Sequence, residues 1–543
     1  MRYPKQRAAG PCTNRLCCLQ SPKQGHAALC GVLLPQGSRA RRPLNLLDHQ
    51  EAGALIEKKG TSIVRGTLLL TAANLLLRLA AMSFQVYLSG RIGAAGIGLL
   101  QLILSVKAMS FTMGSAGIRT CAMYLSAEEF GRGRPHGIHA VLSGCFQYSL
   151  VCSILVLFSL WQLAPWLAEN WIGGSAATPS LRVCALILPI CCLYGVMTGY
   201  FTAAGRIREL VGVEFLEQAC AMAATFLLLS RWAGSDTGRA CLSVILGGGA
   251  SVLVSFRALR FLHQGALPPP PETRRPPYRR ILRIALPLAV ADDLRAGLNT
   301  IENLIVPKRL ARFAGTADAL ADYGVLHGMV FPVLMFPAAI LFSLAELLVP
   351  EFSRCAAGKR KPRIRYLARR GLRVSLLFSL CAAGLLFIGA DALGERLYHS
   401  AEAGRALRLY APLVPLLYTD AIVDAICKGL GQQNANARYN LLTSFLDVAL
   451  LWLLLPRYGL NGYYFSFSVT HLVNFCLSLR RLLLISGARP EIGLSLRAIL
   501  CAGAAGWTSS LLPAWGGLWG VILPGAWYLL TLALLWTLFQ VVR

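Results

Sequence analysis

Residues 291–303 read ADDLRAGLNTIEN, between ILRIALPLAV (281–290) and LIVPKRL (304–310). The flanks are apolar enough for a membrane span, yet Asp292, Asp293, Arg295 and Glu302 put four formal charges inside it. Each costs roughly 2.5–3.5 kcal/mol at a bilayer centre on insertion scales. Charges held at that cost face protein or water rather than acyl chains. Asp292, Arg295, Asn299 and Glu302 stand at i, i+3, i+7 and i+10, one stripe of a helix, and Asp293 points elsewhere. An i, i+3 ion pair of Asp292 with Arg295 that only locks packing is the plainer alternative.

The stretch has a counterpart. LLRLAAMSFQVYLSGRIG (76–93) carries Arg78, Gln85 and Arg91 at the spacing of Arg295, Glu302 and Lys308, an offset of 217 residues. With Asn74, Arg78 and Gln85 form a matching stripe. Pro189 and Gly205 are spaced like Pro415 and Gly431. Two homologous six-span halves account for this, and in transporters with internal repeats the substrate path runs between them. The spacing therefore predicts a first half over 63–262, a basic linker over 263–280, a second half over 281–485 and two further spans over 490–543. Residues 1–60 have no sustained periodicity and are expected to be a disordered leader or translation from a start placed too far upstream.

The rest of the chain fits an all-α polytopic membrane protein. It has 543 residues, 55% hydrophobic and 14% charged, against about 25% charged in soluble domains. About fourteen apolar runs, from 66–88 to 519–541, approach the roughly 20 residues that cross a bilayer. The net charge of +28 does not indicate nucleic acid, because the basic residues lie in short loops between apolar runs. RFLHQGALPPPPETRRPPYRR (260–280) and RCAAGKRKPRIRYLARR (354–370) are strongly basic, whereas APWLAENWIGGSAATPS (164–180) holds only Glu169. This bias places both termini and the basic loops in the cytoplasm, in a multi-pass protein of the cell membrane. Most of the 17 cysteines lie in apolar runs, as small apolar residues do. Leader Cys12, Cys17, Cys18 and Cys30 lack zinc spacing. No cofactor or metal is expected, and no P-loop, HExxH or paired catalytic motif argues for an enzyme.

Candidate cavity residues are Arg78, Gln85, Lys107, Arg119, Arg295, Asn299 and Glu302. Arginines suit bidentate phosphate recognition. Asp292, Glu217, Asp420 and Asp424 are candidates for a coupling proton or cation, and Asp447 is a further acid within a span. Arg119 has the alternative of snorkelling to headgroups. His327 and His471 read as packed histidines and Glu346 as interfacial. Pro189, Pro287, Pro332, Pro337, Pro412 and Pro415 mark places where spans bend or simply pack.

From 63 to about 485 the chain resembles stage V sporulation protein B and its relatives, in RGTLLLTAANLLLRLAAMSFQVYLSGRIGAAGIGLLQLI (65–103), SAGIRT (115–120), LEQ (216–218), LNTIENLIVPKRL (298–310), YGVLHGMVFPVLMFP (323–337), LLVPEFS (347–353), KGLGQQNANARYN (428–440) and LLLPRYGLNGY (453–463). These proteins belong to the multidrug/oligosaccharidyl-lipid/polysaccharide flippase superfamily. The resemblance implies fourteen helices in two lobes plus two. It also implies that a lipid-linked glycan on an undecaprenyl-pyrophosphate carrier, such as a cell-envelope or spore-cortex precursor, crosses from inner to outer leaflet by alternating access. Arg78 and Glu302 match basic and acidic residues typical of the family. Gln85, Asp293, Thr443 and Asp447 depart from it. The other readings are a cation-coupled drug or small-molecule antiporter of the same fold, a membrane enzyme and a non-transporting scaffold. Expected partners are the lipid-linked substrate and membrane lipids.

Overall fold

The computed structural model describes residues 48–131, 135–172, 174–234, 236–264, 276–488, 491–512 and 519–541. Most of the expected leader, with its four cysteines, and the centre of the basic linker lie outside the described residues. The chain divides into two units, Met1–Ile63 and Val64–Arg543. The first contributes helical backbone from Asp48 onward, and the second holds every other element.

Every described element is helical, as a bilayer requires of a chain that must satisfy its own backbone groups. The helix recorded as Asp48–Ser115 is two helices, α1 before Gly93 and α2 after it. There follow α3 (Ile118–Gly131), α4 (Pro135–Leu167), α5 (Thr178–Ala203), α6 (Ile207–Leu228), α7 (Thr237–His263) and α8 (Tyr278–Ala314). Next, α9 (316–335, with a π-turn over Val325–Val330) meets α10 (Ala338–Ala357) at a bend of 61°. Then come α11 (Lys361–Tyr398), α12 (Ala401–Tyr410) and α13 (Val414–Gly429). Gln433–Ser486 is again two helices, α14 and α15, joined at Gly459, and α16 (Ile492–Ser510) and α17 (Trp519–Val541) close the chain. Among the described residues, nine segments are long and apolar enough to span a membrane, two of them the joined pairs α1–α2 and α14–α15, or ten if the bent pair counts as one.

The halves share their joints. Gly93 (φ 69°, ψ 176°) has a partner in Gly315 (φ 87°, ψ 163°), and Gly234 (φ 56°, ψ −132°) in Gly459 (φ 55°, ψ −136°). Gly205 (φ 69°) pairs with Gly431 (φ 75°). These are left-handed or extended positive-φ positions that favour glycine. The three pairs lie 222, 225 and 226 residues apart. Counted back from Gly93 and Gly315, Arg78 stands opposite Thr300 rather than Arg295. The spacing match at 217 residues therefore does not follow the backbone joints at this helix pair.

The prolines behave unevenly. Pro189 and Pro287 sit inside continuous helices. Pro332 and Pro337 flank the sharp bend, and Pro412 and Pro415 cover the tight turn between α12 and α13. The basic stretch 354–370 is largely helix rather than loop, because α11 begins at Lys361 and carries its arginines beyond the apolar run.

Packing between the halves concentrates at one seam. Gly98 on α2 lies so close to α9 that a Cβ there would be 2.2 Å from Leu320 O, and one on Gly324 would be 2.0 Å from Ala94 O. Thr300 donates to Ser105 O (3.3 Å) and Asn303 to Ser105 Oγ (3.1 Å). Lys308 Nζ donates to Asn170 O (2.9 Å) over the Trp171 ring. At its other end α8 packs on the first half: Ile281 and Ala285 share a buried cluster with Ile118, Cys121 and Leu142, and Arg280 pairs with Glu128.

The last two helices dock on α11. Gly384 makes room for the buried Tyr528, whose hydroxyl donates to Leu380 O (2.9 Å). A Cβ on Gly384 would lie 2.0 Å from the Tyr528 ring. Gly384→Ala is therefore expected to destabilise the purified protein by about 1–3 kcal/mol. Thermal unfolding in detergent checks this, and an unchanged midpoint contradicts the packing.

Candidate substrate pathway

Arg78 lies on α1 and reaches α10. Its guanidinium sits 5.1 Å from the centre of the Phe342 ring, and with Leu75, Ser343 and Glu346 it lines a cavity of about 260 Å³ between the halves. Glu346, expected at the interface, is thus beside the arginine that lacked a partner in its own helix. Gln85, seven residues on, is held: its amide donates to Gly328 O (3.1 Å) in the π-turn of α9. The side chain of Asn74 lies outside what is described.

A second polar group sits within the first half. Lys107 of α2 lies among Cys184, Cys191 and Glu217, and its Nζ would be 3.8 Å from a Cβ on Gly248. The Tyr194 hydroxyl lies beside the Glu217 carboxyl, and Arg119 adds its charge beside Tyr194 and Glu214. Lys107 and Arg119, from different helices, are thereby brought to the Tyr194–Glu217 pair.

The stripe on α8 divides. Asp292, Arg295 and Asn299 are exposed. Arg295 lies within electrostatic reach of Asp424 on α13. Asp293 turns toward Tyr148 and Cys152 of α4, with its Oδ1 buried and without a partner. Glu302 instead faces the carboxyl group of Asp447 of α14. Asp447 is 6% exposed and accepts from Ser466 Oγ (2.6 Å) and Thr470 Oγ1 (3.4 Å). Two carboxylates this close repel unless a proton or a small cation lies between them. Nearby, His327 Nε2 and Tyr463 Oη are 3.1 Å apart, and Tyr323 donates to Asn303 Oδ1 (3.3 Å). Both histidines are packed, His471 through Phe467 O (2.9 Å). On α13, Asp420 accepts from Asn474 (3.1 Å) and Asp424 from Asn436 (2.7 Å).

Sequence reasoning missed an apolar groove of about 900 Å³ between α11, α13, α15, α16 and α17. Leu376, Leu380, Phe387, Leu479 and Trp507 form much of its wall, and Arg369 and Arg373 stand at one rim. Arg369, Arg373, Leu376, Leu380, Ala383 and Phe387 share one face of α11 at helical spacing, a face the sequence marks without showing that it lines a cavity. The groove and the polar interior back onto each other, since Thr419 lines the groove and Asp420 follows it, and Phe475 lines it beside Asn474.

Residues 139–523 match the family model described as lipid II flippase MurJ. The chain belongs to the lipid II flippase MurJ family. This MurJ-family chain is 24% identical over 411 residues to stage V sporulation protein B of Bacillus subtilis (strain 168), covering 74% of the chain and 79% of that protein. A solved lipid II flippase MurJ in an inward closed conformation superposes with a TM-score of 0.66 at 12% identity, over 88% of this chain and all of that one. An inward-facing multidrug resistance MATE transporter of the MOP superfamily superposes with a TM-score of 0.62 at 13% identity, over 77% of this chain and all of that one. At these identities the two structures establish the fold: an all-helical, multi-pass membrane protein of the MurJ/MATE type. The MurJ family is a family of transporters, not of enzymes.

Proposed function

We propose that the protein flips a polyprenyl-diphosphate-linked glycan of the lipid II class across the cytoplasmic membrane by alternating access. The observation that carries this reading is the groove of about 900 Å³ backed against a polar interior on the same helices. An uncharged isoprenoid tail needs a long apolar trough. A diphosphate-sugar head needs compensating charge and cannot cross hydrocarbon bare. In this reading the tail lies along α11, α16 and α17, and the head travels between the halves past Arg78, Lys107 and Arg295.

The basic loops support an outer-face position for the α2–α9 seam. A seam closed there, with Lys308 anchored on Asn170, supports an inward-open resting state. The precursor of a cell wall or spore cortex is the class that the Bacillus relative supports.

The carboxyl pair Glu302–Asp447 favours coupling to a proton or cation, and the same pair is the observation that favours a cation-coupled antiporter as the second reading. The test is native mass spectrometry of the purified protein with a polyprenyl-diphosphate-linked muropeptide and, separately, with hydrophobic cations. The flippase reading expects retention of the diphosphate lipid, weakened about tenfold in Arg78→Ala, the cost of one charge-assisted contact. Cation binding that survives Arg78→Ala, with no preference for the lipid, would support the antiporter.

A further inference from the structure

The rim of the groove carries more than its walls require. Arg369 and Arg373 are one turn apart on the same side of α11, at the end where the basic stretch 354–370 enters the helix. Arg369 Nε is buried and has no hydrogen-bond partner. Arg373 is held from across the rim: its Nη2 donates to both oxygens of Glu491, at 3.1 and 2.9 Å. Glu491 is the residue immediately before α16. One nitrogen makes both bonds, so the rest of the Arg373 fork is not committed to Glu491. Deeper in the groove, Thr419 is 6% exposed, and its buried hydroxyl is also unpartnered.

An apolar trough ending at two arginines fits an anionic lipid and not a neutral one. A phosphate monoester or diphosphate offers several acceptor oxygens in the geometry that guanidinium forks match. We propose that Arg369 and Arg373 form a phosphate-reading rim at the mouth of the groove, and that the Arg373–Glu491 ion pair is a latch which an arriving polyprenyl phosphate opens. This rests on the flippase reading for the tail in the groove and adds a docking station outside the path between the halves. The phosphate takes over the Arg373 donors and satisfies Arg369 Nε. Glu491 is released, and with it the start of α16, which forms one wall. The latch thereby couples loading of the lipid to movement of α16. Both partners of the pair are half-exposed (44% and 31%), so the exchange does not require unfolding of the wall.

The experiment uses the full chain in neutral-lipid nanodiscs, titrated with undecaprenyl phosphate, with undecaprenol and with phosphatidylglycerol. Undecaprenyl phosphate is expected to bind about tenfold more tightly than the alcohol, the worth of one charge-assisted contact. Arg369→Ala with Arg373→Ala together should erase that preference while leaving binding of the alcohol. Glu491→Gln should tighten phosphate binding severalfold, because the phosphate no longer competes with a carboxylate. A misfolded variant cannot produce that gain. Equal binding of alcohol and phosphate overturns the rim, as does phosphatidylglycerol competing as well as undecaprenyl phosphate. Unchanged affinity in Glu491→Gln overturns the latch. Flipping of a lipid-linked muropeptide by the wild-type protein, read separately in proteoliposomes, tells failure of the latch from failure of the flippase reading.

Discussion

Gly324→Ala combined with Gly98→Ala is expected to abolish lipid flipping in proteoliposomes. The methyl groups would meet backbone oxygen, Ala94 O at 2.0 Å and Leu320 O at 2.2 Å. No rotamer change relieves a clash between a Cβ and a main-chain carbonyl, so α2 and α9 must move apart. The seam also holds Gln85 to Gly328 and Asn303 to Ser105, bonds that lengthen with the separation. Overpacking of this kind costs about 1–3 kcal/mol where the helices cannot yield. Here the helices belong to different halves and can yield, so the cost appears as a shift of conformation more than as unfolding. Only differential stability of the two states shifts a conformational equilibrium, and the substitutions penalise the state closed at this seam alone. Spin labels on α2 and α9 should report a longer separation and dithionite-accessible lipid should fail to exchange. Normal flipping with an unchanged label distance would contradict the seam as a gate.

Glu302→Gln is expected to be the second large effect. The amide keeps the size of the side chain and can donate to Asp447, but it removes the carboxyl pair that can trap a proton or a cation. Flipping should fall at least tenfold, about 1.4 kcal/mol in the barrier, and the residual rate should no longer respond to an imposed proton or sodium gradient. Asp447→Ala is the structural control. It strips the acceptor from Ser466 Oγ, costs about 1–3 kcal/mol of stability, and should lower the melting midpoint where Glu302→Gln does not. A Glu302→Gln protein that flips lipid at the normal rate and still follows the gradient would remove the pair from the coupling.

Fold class was open to reading in the residues because a bilayer restricts the choices so strongly. Long apolar runs, basic loops on one side and charges confined to a few spans admit little besides a bundle of helices. The duplication was visible too, through Pro189 with Gly205 and Pro415 with Gly431. Its register at the opening stretch was not. Apolar helices are rich in near-equivalent positions, so isolated matches such as Arg78 with Arg295 fit several offsets, whereas positive-φ glycines mark the backbone itself.

The candidate site shows the same division. Polarity inside a span identified Lys107, Glu217, Glu302, Asp420 and Asp424 one at a time. Helical periodicity shows which residues share a face within one helix and says nothing about the facing helix. The meeting of Glu302 with Asp447, 145 positions later, and of Arg78 with Phe342 and Glu346 therefore depended on tertiary packing. The groove was hidden for another reason. It is made of the apolar residues that every span contains, and only the arrangement of five helices makes it a cavity.

One helix ties these features together mechanically. The start of α8 is buried with Ile118, Cys121 and Leu142 of the first half, and its end is joined through Glu302 to α14 of the second. Any rotation of one half against the other is therefore transmitted along α8 as torque. The segment between the two anchors, with exposed Asp292, Arg295 and Asn299, works as a torsion spring. Asp293 and Thr300 rest on the first half and Arg295 faces Asp424 of the second, so a twist of this segment is felt by both halves at once.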